Sequence, residues 1–188
     1  MANALDPDKQ PLSYAAFLRG INVGGRRKIK MADLRASFTA LSFVNVKTVL
    51  ASGNVRFDAP GADETEARTA IEQRLLQDFG HSIGVIVRPL TELQALLDTN
   101  PFEALATTAQ IKLYVTFLPE RGNSRNGAST ALPDGYAIVR ATAREVCSVL
   151  TLAQGRSTID LMAHLEKQFG KDITTRTWNT VTRLLNAS

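Results

Sequence analysis

The sequence has few of the residues that usually mark a reaction centre. Of its 188 residues one is cysteine, Cys147, and two are histidine, His81 and His164. A single cysteine excludes an intrachain disulfide framework and is typical of a reducing compartment. Neither histidine belongs to a His/Cys/carboxylate cluster with metal-ligand spacing. We therefore expect no metal site and no cofactor.

Long apolar runs and hydrolase signatures are also missing. The longest apolar runs are too short to span a bilayer, and no basic segment followed by an apolar one opens the chain. These features favour a cytoplasmic protein. No Gly-x-Ser-x-Gly segment occurs, and no carboxylate pair can be named. The sequence therefore leaves open whether the protein is an enzyme.

The composition is otherwise that of an ordinary globular protein, with 44% hydrophobic and 21% charged residues. The net charge is +4, from 22 Lys plus Arg against 18 Asp plus Glu, which permits anionic partners without requiring them. The cations are unevenly spread. One cluster, opposed only by Asp33, contains Arg19, Arg26, Arg27, Lys28, Lys30 and Arg35.

The hydrophobic pattern predicts an α+β fold with antiparallel sheets. Residues 1–11 are polar, contain two prolines and are expected to form a flexible tail. Residues 12–90 follow the order βαββαβ of a ferredoxin-like unit. Its expected elements are a strand at 14–18, a helix at 31–41, strands at 47–51 and 55–58, a helix from Asp63 to Phe79 and a strand at 83–88.

Residues 91–188 are predicted to form a second α+β half that is an imperfect copy of the first. Its expected elements are a helix at 91–97, a strand at 111–118, a loop at 121–134, a hairpin at 137–152 and helices at 157–169 and 177–185. The loop replaces one helix, and the final strand is predicted to be missing. The last helix is expected to turn Trp178, Val181 and Leu185 inward. Internal duplication is the hypothesis that follows.

The segment from Arg19 to Lys30 is the first candidate binding site. Glycines that permit positive φ stand beside cations, which favours an anion site. The segment matches neither the Walker A pattern nor the Gly-x-Gly-x-x-Gly pattern. Its candidate ligand-binding residues are Arg19, Gly20, Asn22, Gly24, Gly25 and Lys28; the alternative is a glycine-rich connection with a charged rim.

Three further clusters of polar residues lie at predicted element ends. The clusters are Ser52–Asn54, Arg156 with Ser157, and Arg176 with Asn179. Their structural alternatives are, in that order, a tight turn, a helix start and core packing around Trp178. The candidate ligand-binding residues in these clusters are Ser52, Gly53, Asn54, Arg156, Ser157, Arg176 and Asn179. Cys147 is interpreted as a buried thiol in a strand.

These motifs resemble the DUF1697 family, a mostly bacterial group named for having no assigned function. The resemblance covers Tyr14–Gly25, Lys30–Leu34, Ser52–Val55, Gly155–Ser157 and Thr175–Thr180. It implies an α+β fold with ferredoxin-like halves and implies no activity, substrate or catalytic residue. The chain departs from the family pattern at Ala51, where Gln is common, at Thr158, where Lys is common, and in the eroded helix between 121 and 134.

The leading hypothesis is a binding protein with one basic, Gly/Asn/Ser-rich site for a phosphate-bearing small molecule or nucleotide. Three alternatives stand beside it: a nucleic-acid-binding module, an interaction protein whose motifs preserve the fold, and an enzyme acting on a phosphorylated metabolite. The nucleic-acid alternative has little support, because aromatics are 6% of the chain and residues 54–57 lack the aromatic-rich RNP1 pattern. No membrane partner is expected.

Overall fold

The computed structural model describes residues 12–23, 28–105, 108, 110–119, 135–151 and 158–187. The predicted tail at 1–11 and the predicted loop at 121–134 lie outside these residues. The chain groups into two compact units, residues 1–95 with 182–188, and residues 96–181. Each unit contains one four-stranded antiparallel sheet.

The first unit has the predicted βαββαβ order. Its sheet order is β2-β3-β1-β4, so β1 lies between β3 and the edge strand β4. A further helix, α3, follows β4 directly. The elements are β1 (Leu12–Leu18), α1 (Met31–Thr39), β2 (Val44–Val49), β3 (Asn54–Ala59), α2 (Glu64–Phe79), β4 (Val85–Pro89) and α3 (Leu90–Thr99).

Local sequence explains where α2 begins and ends. The Asp63 side chain accepts the N–H of Glu66, and the Glu66 carboxylate accepts the N–H of Asp63, which is the reciprocal capping box predicted from these residues. The helix ends at Gly80 in the left-handed region, with φ +71°. Ala67, Ile71 and Leu75 are its buried face.

The core of the first unit lies between the sheet and the two helices α1 and α2. Alternate residues of β1 point into it, among them Tyr14, Ala16 and Leu18. Phe38 and Phe57 meet edge to face with ring centroids 5.2 Å apart. Burying these side chains is the main stabilising term for a unit of this size.

One cation is almost completely buried in the first unit. Arg88, at the end of β4, is 1% exposed. Its Nη1 donates to Glu64 Oε1 at 3.1 Å, and its Nε lies 3.7 Å from Glu92 Oε1. Glu64 begins α2 and Glu92 lies in α3, so this ion cluster ties both helices to the edge strand.

The second unit repeats the sheet order of the first, as β6-β7-β5-β8. The match of strand for strand supports the hypothesis of internal duplication. Leu161 and Leu165 of its helix α4 are fully buried against the sheet. The elements are β5 (Ile111–Phe117), β6 (Tyr136–Ala141), β7 (Glu145–Thr151), α4 (Thr158–Phe169), β8 (Thr174–Thr177) and α5 (Trp178–Leu185).

The prediction that the second half lacks its final strand is wrong. Residues 174–177 form β8, which pairs antiparallel with β5. The strand is only four residues long and has the sequence Thr-Thr-Arg-Thr. It carries no apolar residue whose alternation would reveal it, although threonine favours strands.

The expected inward face of α5 is confirmed only in part. Val181 and Leu184 are fully buried, whereas Trp178 and Leu185 are half-buried. Residues 182–188 group with the first unit. There the Arg56 Nη1 of β3 donates to the carbonyls of Leu185 at 2.7 Å and Ala187 at 3.0 Å. The arginine thereby pairs with the carbonyl of the last helical residue, which has no intrahelical partner, and with one just beyond the helix.

Candidate functional site

The end of β1 is the point at which three segments of the first unit meet. Leu18 N–H donates to the carbonyl of Gly53 at 2.8 Å, and Arg19 N–H donates to the carbonyl of Gly84 at 2.9 Å. Gly53 belongs to the turn between β2 and β3, and Gly84 immediately precedes β4. The described candidate residues of the first loop and those of the Ser-Gly-Asn turn therefore lie at the same end of the sheet.

Asn22 holds this arrangement together through its side chain. Its Nδ2 donates to the carbonyls of Ile29 at 3.0 Å and Ala51 at 2.7 Å, and its Oδ1 accepts the N–H of Ile29 at 2.8 Å. It adopts φ +55°, which asparagine tolerates better than most residues. The amide that was a candidate ligand group is thus hydrogen-bonded to the backbone of two segments.

Two residues of the Ser-Gly-Asn turn have structural contacts. Asn54 is fully buried, and its Nδ2 donates to the Val49 carbonyl and to Ser52 Oγ, both at 2.9 Å. Gly53 has φ +75°, and a Cβ built on it would lie 2.8 Å from Ile21 Cδ1. Only Ser52 of this turn is exposed.

Cations are among the groups that face solvent at this end of the sheet. Lys28 and Lys30 are exposed on either side of the buried Ile29, and Arg19 is half-buried. Gly20 is exposed with φ +62°. Two residues of the predicted set, Gly24 and Gly25, lie outside the described residues, as do the cluster cations Arg26 and Arg27.

Helix α1 begins directly after these lysines. Its N-cap, Lys30, has extended backbone angles and makes no side-chain capping bond. The N–H groups of a first helical turn lack intrahelical partners and carry partial positive charge. Asp33 adds one carboxylate in this turn. We call the set formed by Arg19, Lys28, Lys30, Ser52 and the first turn of α1 the loop site.

The remaining candidates belong to the second unit. Arg176 lies in β8, and its Nη1 donates to Thr174 Oγ1 at 2.9 Å and to the Thr175 carbonyl at 2.8 Å. Burial lowers the pKa of Arg176 to about 10, so the guanidinium stays charged at neutral pH. Asn179 is exposed in the first turn of α5. Arg156 and Ser157 lie outside the described residues.

Comparison with known proteins identifies the chain by family. A family described as "Protein of unknown function (DUF1697)" matches residues 12–146, which is well over half of the chain. The chain belongs to the DUF1697 family. No curated protein matches.

A solved structure shares the fold of this DUF1697 protein. The conserved bacterial protein SP0830 from Streptococcus pneumoniae matches with a TM-score of 0.72 and 19% sequence identity. The match covers 94% of this chain and 98% of that one. At this identity the likeness shows the fold alone.

The described residues of this DUF1697 protein contain no group of three or more metal-ligating side chains. They also contain no helix long and apolar enough to cross a membrane. Cys147 is fully buried, as the strand interpretation predicted, and burial followed by the charge of Glu145 raises its pKa to about 12. Its thiol is therefore a poor nucleophile at neutral pH.

Gly84 also lies at this end of the sheet and is not among the residues predicted from the sequence. A Cβ built on Gly84 would lie 3.1 Å from Arg19 Nη1 and 3.3 Å from Arg19 Cδ. The sequence does contain an indication of its role, because Gly84 falls inside the segment predicted as a strand at 83–88. A glycine inside a strand pattern often marks a close approach by another group.

Proposed function

We propose that this protein binds a phosphate-bearing small molecule at the loop site of its first unit. The observation that carries the proposal is the triple hydrogen bonding of Asn22 to Ile29 and Ala51. Ile29 stands between Lys28 and Lys30, so the clamp fixes the backbone from which both ammonium groups project. Cations on a fixed backbone lose less conformational entropy on binding an anion than cations on a free loop.

The start of α1 supports the same proposal. Unpartnered N–H groups of a first helical turn, together with the helix dipole, favour a bound phosphate. The N-cap residue Lys30 makes no side-chain capping bond to those groups, because its ammonium has no acceptor atom. The carboxylate of Asp33 opposes the anion, so the site would bind through the summed effect of several weak donors.

Two exposed aliphatic side chains favour an anion that also carries an apolar group. Val23, which follows Asn22, is 68% exposed, and Leu50, which precedes Ala51, is 41% exposed. The hydrogen bond from Asn22 to Ala51 brings these two chain positions to the same end of the sheet. Leu50 also has φ +59°, which costs a branched residue about 1–2 kcal/mol. A nucleotide therefore fits the site better than inorganic phosphate does.

Base stacking on the sheet has no support in the first unit. An RNA-binding ferredoxin-like sheet stacks bases on exposed aromatic side chains. Here Tyr14, Phe17 and Phe57 of the sheet strands are all at most 1% exposed. The nucleic-acid alternative would have to use the cations and the phosphate backbone.

A thermal-shift titration tests the proposal. The probes are inorganic phosphate, pyrophosphate, ATP, adenosine and a short oligonucleotide. We expect ATP to raise the Tm more than pyrophosphate and adenosine to have no effect. A ligand at roughly 100 times its Kd adds about 2.7 kcal/mol, and each kcal/mol raises the Tm by about 2–4 °C at this chain length.

The matched variants are Lys28→Ala/Lys30→Ala in the loop site and Lys112→Ala on β5, a strand of the second unit. All three lysines are exposed, so folding should tolerate each change. The double variant should lose most of the ATP-induced shift and the control should keep it. An absent shift for every probe, or an unchanged shift in the double variant, contradicts the proposal. A response to the oligonucleotide alone would favour the nucleic-acid alternative.

A further inference from the structure

The side chain of Arg19 lies across the backbone of Gly84. The last paired residues of β1 and β4 are Leu18 and Val85, so Arg19 and Gly84 are the next two residues across the strands. Arg19 N–H donates to the Gly84 carbonyl at 2.9 Å. A Cβ built on Gly84 would lie 3.3 Å from Arg19 Cδ, 3.1 Å from Nη1 and 3.9 Å from Cζ. The Arg19 side chain, from Cδ to the guanidinium, therefore lies next to the position that a Cβ of residue 84 would occupy.

The backbone of Gly84 does not itself require glycine. Six described glycines have positive φ, and Gly84 is not among them. Any residue could adopt its backbone conformation, unlike that of Gly53. The close approach of Arg19 is the feature that a larger residue would disturb, because a Cβ at 3.1–3.3 Å is tighter than an ordinary van der Waals contact.

We infer that Gly84 is a positioning residue for Arg19. The missing Cβ allows the guanidinium to lie against the start of β4, which sets the direction of one cation of the loop site; this role rests on the proposed function. A carboxylate from α2 lies beside the residue that follows Gly84, since Glu72 Oε1 accepts the N–H of Val85 at 3.0 Å. The Coulomb energy between this carboxylate and the guanidinium of Arg19 depends on their separation, so it changes with the position of Arg19.

The test compares Gly84→Ala with Ser82→Ala, a change at an exposed residue of the same segment. The first readout is the ¹⁵N resonance of the Arg19 side-chain Nε–H, assigned by its loss in Arg19→Lys. We expect Gly84→Ala to shift this resonance and Ser82→Ala to leave it unchanged. The Tm of both variants is measured alongside, so that a shifted resonance is read from a folded protein.

The second readout is the affinity for ATP across a double-mutant cycle of Gly84→Ala and Arg19→Ala. Gly84→Ala should weaken binding by about two- to tenfold, and adding Arg19→Ala should cost less than it does in the wild type, as coupled neighbours do. An unmoved Arg19 resonance overturns the positioning role, whatever binds. A moved resonance with unchanged ATP affinity, or additive losses, overturns its link to the site. If ATP does not bind the wild type, the proposed function fails and the resonance alone still decides whether Gly84 positions Arg19.

Discussion

At the scale of single residues, the polar side chains at element ends divide into two groups. The amides of Asn22 and Asn54 are bonded to backbone carbonyls that hold neighbouring segments together. Lys28 and Lys30 instead project from the surface. The sequence placed both groups at element ends but could not separate them, because an asparagine beside a turn has the same local pattern whether it binds backbone or ligand.

Gly53 and Gly80 form a matched pair for measuring how much stability is lost when an added Cβ meets neighbouring side chains. Both have nearly the same φ, +75° and +71°, but a Cβ on Gly53 meets Ile21 and Leu18 at 2.8 Å while one on Gly80 meets nothing within 4 Å. Each change to alanine should cost about 1–2 kcal/mol for the left-handed backbone. Gly53→Ala should cost about 1–3 kcal/mol more through overpacking.

Urea unfolding of the two variants measures this difference directly. The m-value should stay the same in both, so that the change in midpoint reports stability alone. Equal losses of stability in Gly53→Ala and Gly80→Ala would show that the contact with Ile21 and Leu18 relaxes without cost. The structural role assigned to the Ser-Gly-Asn turn would then be wrong.

At the scale of elements, one carboxylate links helices α1 and α2 of the first unit. Asp78 of α2 accepts a hydrogen bond from Arg74 Nε at 2.8 Å and one from the Ser37 hydroxyl of α1 at 2.6 Å. The Arg74 bond and then the Ser37 bond hold the pKa of Asp78 below its ordinary value of 3.8. Because the folded pKa is the lower one, the linked stability is present above about pH 4 and is lost as the pH falls through the folded pKa.

Asp78→Asn should therefore make the free energy of unfolding less dependent on pH in the acid range. We expect the variant to be less stable than the wild type at neutral pH and to approach it as the pH falls below about 4. Urea midpoints across this range measure the effect, and Glu103→Gln, at an exposed carboxylate, is the control. A constant difference between wild type and Asp78→Asn at every pH would contradict the assignment.

The strands show how well the alternation of apolar residues predicts secondary structure in this chain. The order of the first unit was correct, but β2 runs from Val44 to Val49 rather than from 47 to 51. A register shift between Val44 and Lys47 and positive φ at Asn45 break the alternation on which the prediction relied. The strand β8 was missed because its four residues contain no apolar side chain. Tertiary pairing with β5 defines that strand.

At the scale of the whole molecule, the two sheets have corresponding strand orders. The sequence predicted this α+β architecture because its apolar periodicity is repeated in both halves. It could not predict which end of which sheet forms a site, since that depends on hydrogen bonds between residues far apart in the chain, such as Asn22 to Ala51 and Arg19 to Gly84. The net charge of +4 is also too small to locate an anion by itself.

A titration of ATP into ¹⁵N-labelled protein, followed amide by amide, tests for an anion site at the end of β1. We expect saturable shifts at residues 19–23, 28–33 and 50–53, which weaken as ionic strength rises because exposed charges are screened. The same titration of the Lys28→Ala/Lys30→Ala variant should show much smaller shifts at the same positions. Shifts confined to residues 111–181, or no shifts at all, would contradict an anion site at the end of β1.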